Sequence, residues 1–347
     1  MDNSVFIFRL NLDWQLIALI SQIDRFDASW TSIERREKQS LKQLKSIATV
    51  RSVGASTRIE GSKLTDEEVD VLLKNIDITK LEDRDSQEVV GYFEALDIIS
   101  EAYNDIQIAE GDIKNLHNIL MKYSTKDEWH KGNYKQHSNA VEAKYPDGTS
   151  QIIFQTTEPG IDTESAMRNL IEWYNKENTI HPLVRCSIFT YEFLSIHPFQ
   201  DGNGRLSRLI SSLLLLKNGY KWIQYVSFEH EIENRKLEYY RVLKSCQAQR
   251  PYENISDWVN FFFDALKNIQ RLLMQKLQVH QGEGEQLLPR EKLVVGFIQN
   301  NPGCKSGGIA KGLGISRMIV IRQLTILIEK NLIEKHGSGS GTQYTLK

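Results

Sequence analysis

The run His197-Pro198-Phe199-Gln200-Asp201-Gly202-Asn203-Gly204-Arg205-Leu206-Ser207-Arg208 places one imidazole, one carboxylate, two glycines and two guanidiniums in twelve positions. An apolar run, 209–216, follows at once. Pro198 and the Gly202-Asn203-Gly204 triplet predict a loop. Arg205 and Arg208, three apart and continued by the apolar run, predict a helix. A glycine loop entering a helix N-terminus is the layout of an anion site, with free backbone N–H groups and a positive dipole end.

Each residue type has a task if the anion is a nucleotide. His197 titrates near neutrality and is suited to take a proton from an attacking hydroxyl. Asp201 is a hard oxygen ligand of the kind Mg²⁺ prefers. Gly202 and Gly204 let phosphate approach the backbone. Arg205 and Arg208 are placed to clamp phosphate oxygens, while Phe199 is expected to anchor the loop and leave His197 exposed. Taken singly, these features have ordinary readings as turn residues or a solvated helix face. No further His/Cys cluster stands nearby, and no G-x-x-x-x-G-K-[ST] loop occurs.

The twelve residues resemble, without a mismatch, the H-P-F-x-[DE]-G-N-G-R-x-x-R signature of the Fic family. The resemblance implies a mainly helical core that transfers AMP from ATP to a Ser, Thr or Tyr hydroxyl of a protein. It also implies His197 as general base, Asp201 as Mg²⁺ ligand, and Gly202, Asn203, Gly204, Arg205, Leu206, Ser207 and Arg208 as the ATP phosphate cradle. Upstream, Ser56-Thr57-Arg58-Ile59-Glu60-Gly61 reads locally as a helix C-terminus capped by Gly61. Beside the signature it resembles the family's inhibitory [S/T]-x-x-x-E-[G/N] motif. That likeness implies a buried Glu60 carboxylate paired with Arg208 where the γ-phosphate belongs, with Ser56 at the motif's first position.

The rest of the chain is read around this centre. Residues 1–105 are predicted to be a helical region, with a capping box at Thr65–Glu68 and a helix over 85–105. The Fic core and following helices are expected over 106–280. There, His117 is a structural hydrogen-bonding residue, a helix over 163–174 turns Ala166, Leu170 and Trp173 inward, and 227–243 carries Tyr239 and Tyr240. Family likeness places one of that pair in the adenine pocket. Two extended runs around Val141 and Ile152–Phe154, with Pro146-Asp147-Gly148 between them, predict a hairpin. In the family a flap here, at 132–160, holds a target segment by β-augmentation. Lys135 stands where the family usually has Arg, and Thr156-Thr157 interrupts its F-x-P-P-like run.

A polar linker is expected at 281–287. Beyond it, 288–347 holds nine Lys/Arg against three acids, a net +6. Its predicted order, three helices and a terminal hairpin, looks like a winged helix-turn-helix domain. Arg317 and Arg322 are placed for DNA phosphates, although such folds also dock proteins.

Across all 347 residues the net charge is only −2, so whole-chain charge gives no case for nucleic-acid binding. Three scattered cysteines make neither a disulfide framework nor a zinc site. No apolar run approaches the ~20 residues of a membrane helix. The expectation is a cytoplasmic, Mg²⁺- and ATP-dependent protein adenylyltransferase restrained by Glu60, acting on another protein or on itself. A DNA-binding regulator with a nucleotide-sensing core, and a de-AMPylase, stand as alternatives. Target, oligomeric state (a homodimer included) and the means of relief stay open.

Overall fold

The computed structural model describes residues 8–126, 128–144, 150–282, 288–329 and 332–347. It is mainly helical, with two two-stranded antiparallel sheets among the described residues. The chain divides into two compact units, Met1–Leu273 and Met274–Lys347. The region before residue 105 and the expected core therefore form one unit rather than two.

The first unit begins with α1 (Trp14–Arg36), α2 (Lys38–Ile59), α3 (Asp66–Lys74), α4 (Arg84–Ala102) and α5 (Glu110–Leu120). Thr65 and Glu68 form the expected capping box of α3. Helix α4 starts a residue earlier than predicted, because the Asp83 carboxylate accepts from the Ser86 N–H and caps it. Strands β1 (Ala140–Lys144) and β2 (Ser150–Gln155) pair antiparallel, with a register shift between Val141 and Glu142. The predicted Pro146-Asp147-Gly148 turn lies outside the described residues.

Next come α6 (Ile161–Lys176), α7 (Pro182–Ile196), α8 (Asn203–Lys217), α9 (Phe228–Asn234), α10 (Lys236–Gln247) and α11 (Ser256–Gly282). In α6 the buried residues include Met167, Leu170, Ile171 and Tyr174, whereas Ala166 and Trp173 are only half-buried. The stripe sits one position on from the predicted one at both ends. Segment 227–243 holds parts of two helices, since the backbone breaks at Arg235.

Helices α7 and α8 are buried over almost their whole length, α8 with Arg205, Arg208 and three serines among its apolar residues, so they form the centre of the unit. They pack on each other, and α8 also meets α2, α4, α5 and α9. Truncating a residue such as Leu213, 1% exposed, to Ala would cost about 2–5 kcal/mol. That rigid pair carries the twelve-residue run at its junction.

The second unit contains α12 (Pro289–Asn300), α13 (Ser306–Leu313), α14 (Arg317–Glu329), β3 (Ile333–His336) and β4 (Gln343–Leu346). Val294, Ile298, Ile309, Val320, Leu324, Leu327, Ile333 and Tyr344 make its core. Of the expected linker, Gln281 and Gly282 end α11, and 283–287 lie outside the described residues. Among the described residues no helix is long and apolar enough to cross a membrane.

Candidate active site

The loop between α7 and α8 is fixed from below by its own residues. Phe199 is fully buried, and its ring stacks on His117 with centroids 3.9 Å apart. The Asn203 amide donates to the Phe199 carbonyl (2.7 Å) and accepts from the Phe199 N–H (2.9 Å), closing the loop on itself. His117 Nδ1 accepts from the Gly132 N–H, so the proton sits on Nε2, which donates to the Asp201 carbonyl. Burial pushes His117 down to about 4, consistent with that neutral tautomer. Its predicted structural role thus has specific partners: it ties the 132 turn to the loop.

His197 caps α7 in the left-handed conformation (φ 53°, ψ 59°), an unfavourable region for a residue with a Cβ. It is half-buried rather than exposed as expected, because the cavity wall closes round the imidazole. Burial, then the nearby Lys135 ammonium, push it down to about 4. At neutral pH it is an unprotonated imidazole.

Lys135 is the residue whose weight the sequence left unread. Its ammonium, 2% exposed, donates to Asn139 Oδ1 (3.0 Å), Thr156 Oγ1 (2.8 Å) and the Ile196 carbonyl (3.1 Å). Its N–H donates to the Pro198 carbonyl (2.8 Å). One side chain therefore brackets His197 and ties it to the segments flanking the β1–β2 hairpin. Thr156, which interrupts the family's run, receives this bond. A lysine in place of arginine beside an unexpected threonine was the available signal.

Asp201 lies at the opposite lip, 40% exposed. Burial works against its charge, but Arg205, the Gly202 N–H (2.6 Å) and Arg84 outweigh it and hold its pKa below the usual value. Arg205 and Arg208 are equally buried and differently aimed. Arg205 faces Glu88 (3.3 Å) and Asp201 (3.4 Å), behind the cavity rather than in it. Arg208 reaches the cavity. Of the remaining expected cradle residues, Gly202, Asn203 and Gly204 line it, whereas Leu206 and Ser207 are buried beneath.

That cavity, about 240 Å³, is lined by Glu60, His197, Asp201, Gly202–Gly204, Arg208, Tyr239 and Tyr240, among others. Both tyrosines reach it, Tyr239 buried and Tyr240 half-buried. Glu60 Oε1 accepts from Arg208 Nη2 at 2.7 Å. A Cβ on Gly204 would come within 2.3 Å of that oxygen, so the carboxylate sits against the N-terminus of α8. A helix N-terminus favours an anion there. The Glu60 side chain is 29% exposed to the cavity, not buried as expected. Enclosure opposes its charge, Arg208 outweighs that, and its pKa is lowered. Ser56 accepts from Arg208 Nε (2.8 Å) through Oγ and from Nη2 (3.0 Å) through its carbonyl. Arg58 is held bidentately by Glu233, and the Ile59 carbonyl by Lys236 (2.7 Å), which fixes the end of α2.

Among the described residues no three His, Cys, Asp or Glu side chains gather as a metal-binding group. Asp201 lines the cavity with Oδ1 on the Gly202 N–H and Oδ2 3.4 Å from Arg84 Nη2.

A loop that delivers an imidazole, a carboxylate and an arginine to a helix N-terminus has the chemistry to meet an anion. Residues 107–215 match the Fic/DOC family model. The chain is 28% identical over 187 residues to the protein adenylyltransferase Fic of Drosophila erecta, covering 52% of this chain and 35% of that one. It is 24% identical over 282 residues to the Drosophila willistoni protein of the same name, covering 78% and 52%. The chain thus spans between about a third and about half the length of these curated relatives. In fold it is similar to a Fic family protein from Desulfovibrio desulfuricans, with TM-score 0.70, 24% identity and 97% of both chains covered. A Fic-domain signalling protein from Bacteroides thetaiotaomicron gives TM-score 0.56 at 23% identity, covering 74% of this chain and 94% of that one. The family match is to the stretch 107–215, which carries a Fic/DOC domain, and the fold is similar to that of Fic family proteins.

Proposed function

We infer that this protein is an adenylyltransferase that moves AMP from ATP to a protein hydroxyl, and that Glu60 restrains it. The observation that carries the reading is the Glu60–Arg208 pair, set at the α8 N-terminus in a cavity shared with His197 and Asp201. In the proposed reaction His197 takes the hydroxyl proton, and the freed oxygen bonds to the α-phosphorus. The bond from that phosphorus to the bridging oxygen breaks, and pyrophosphate leaves. An imidazole held near 4 is a weak base, but an arriving triphosphate brings negative charge that raises it toward the working pH. Arg208 is the clamp that can reach phosphate, and Arg205 holds Asp201 in place. Asp201 fits Mg²⁺, which is ordinarily held by one or two carboxylates plus substrate phosphates. Bound there, the ion would supply charge neutralisation on the phosphates.

Glu60 opposes this twice, by occupying the anion seat and by engaging Arg208. ATP labelled at the α-phosphate tests the reading on wild type, Glu60→Gly and Glu60→Gly/His197→Ala. Label is expected mainly with Glu60→Gly; equal labelling of all three would overturn it. A second reading, DNA retention by the second unit, is favoured by exposed Arg317 and Arg322 on α14.

A further inference from the structure

We propose that Glu233 and Lys236 are positioning residues for the restraint, holding the last turn of α2 so that the Glu60 carboxylate stays on Arg208; this rests on the reading of Glu60 above. Glu60 does not keep that aim through its own helix. It is the C-cap of α2, and its N–H reaches the Thr57 carbonyl (3.1 Å), the shorter span of a tightened final turn. The Ser56 carbonyl, which a continuing α-helix would offer to that N–H, accepts from Arg208 Nη2 instead. Gly61 follows with φ 111°, where the chain leaves the helix. A helix end of this kind frays unless groups outside it take hold of it.

The junction of α9 and α10 supplies that hold. Glu233 and Lys236 stand on either side of it, and they grip the two residues that precede Glu60. Glu233 accepts from Arg58 Nε (2.6 Å) and Nη2 (3.0 Å), a bidentate pair whose side chains are 22% and 21% exposed. Lys236 Nζ donates to the Ile59 carbonyl at 2.7 Å, the carbonyl of the peptide bond that leads into Glu60. A cation on a last-turn carbonyl also suits the negative end of the helix dipole. The Arg58 guanidinium reaches onward, from Nη1 to the Leu64 carbonyl (3.0 Å) and from Nη2 to Asp66 Oδ1 (2.9 Å), so it closes the turn 59–63 around Glu60. Room is left for it one turn earlier. A Cβ on Gly54 would lie 2.6 Å from Arg58 Nη1 and 2.8 Å from Asp66 Oδ1. A glycine inside a helix costs roughly 0.5–1 kcal/mol relative to alanine, and here it admits the guanidinium. Neither Glu233 nor Lys236 lines the cavity, so losing either one frees Glu60 without removing a group that a nucleotide would touch.

The experiment uses the full chain, with ATP and AMP binding measured by calorimetry. Glu233→Ala removes the partner of Arg58, and the milder Lys236→Met keeps the alkyl chain and drops the donor. Each is made with Glu60 present and again in Glu60→Gly. With Glu60 present, each is expected to tighten ATP binding about fivefold, the worth of one ordinary hydrogen bond. In Glu60→Gly neither should change ATP binding. AMP lacks the phosphates with which Glu60 contends, so its binding should stay level throughout. Unchanged or weaker ATP binding in both variants, an equal gain for AMP, or the same gain in Glu60→Gly would overturn the positioning role while leaving restraint by Glu60 intact. A Glu60→Gly protein that binds ATP no better than wild type would overturn the restraint itself, and the positioning role with it.

Discussion

The two units of the chain treat charge in opposite ways. In the first, side chains with formal charges are brought inside: Arg205, Arg208, Lys135, Glu88, Glu192, Glu229 and Glu253 are all buried. In the second, the buried polar residues among those described are Glu291 and Gln323, while Arg290, Lys292, Lys305, Lys311, Arg317, Arg322 and Lys335 face solvent. Burying a charge is costly unless partners meet it. A unit that does so repeatedly has been shaped by something other than stability. An outward display of cations on a plain apolar core is the economical arrangement, suited to a long-range field and to partners met at the surface.

The contrast breaks most sharply at His197. In a Glu60→Gly background, His197→Ala is expected to lower labelling from ATP by about 10²–10⁴-fold, the usual worth of a positioned base. A similar loss from a surface cation of the second unit would erase the distinction between the units. Next in size is Glu60→Gly itself, expected to raise labelling about 10–100-fold by removing a charged hydrogen bond to Arg208. Labelling at or below the wild-type level would show that Glu60 supports the site instead of restraining it.

The pH profile sharpens the same point. A base with a depressed pKa stays competent above that value and is lost below it. For Glu60→Gly, which also removes the carboxylate charge that raises His197, kcat/KM should therefore hold from neutrality down through at least the region of about 4 set by burial and Lys135 in the intact protein. A fall centred near the ordinary histidine value would mean that burial and Lys135 do not act on His197 as the geometry indicates. Lys135→Met should lower stability by about 1–3 kcal/mol in a denaturant titration, because Asn139, Thr156 and the Ile196 carbonyl lose their donor. The smallest effect on labelling, none, is expected from Arg317→Ala/Arg322→Ala. If DNA is the partner, that variant should reduce retention on DNA and make the salt slope about two units shallower.

How much of this was legible follows the range of the interactions. The loop-to-helix junction at 197–208 was readable because its information is local: glycines, a proline and an apolar run within a short span. The capping box at Thr65–Glu68 was legible for the same reason, whereas the placing of Glu60 near Arg208 came from family likeness alone. What escaped depended on partners far apart in sequence. Arg205 and Arg208 look equivalent in the sequence, yet Glu88 on α4 draws one away and Ser56 on α2 draws the other into the cavity. Glu60 was expected to be buried, but an ion pair at a cavity mouth leaves one side open. Lys135 looked like a departure in a flap and is instead a brace of the His197 backbone. The shifted stripe of α6 reflects tertiary packing, which periodicity sees only on average.

The missing side chain at position 204 has a consequence for how this protein can change over generations. The space left there is one seat, and the Glu60 carboxylate and an incoming phosphate would contend for it. Altering the seat therefore evicts both occupants, so Gly204→Ala offers no mutational route to an unrestrained enzyme. Altering the occupant does: a change at Glu60 alone, or at the Arg58–Glu233 and Lys236–Ile59 ties that aim it, leaves the seat whole. Variation in restraint is thus expected to collect at the end of α2 and its ties, while the glycine loop stays fixed in lineages of either temperament.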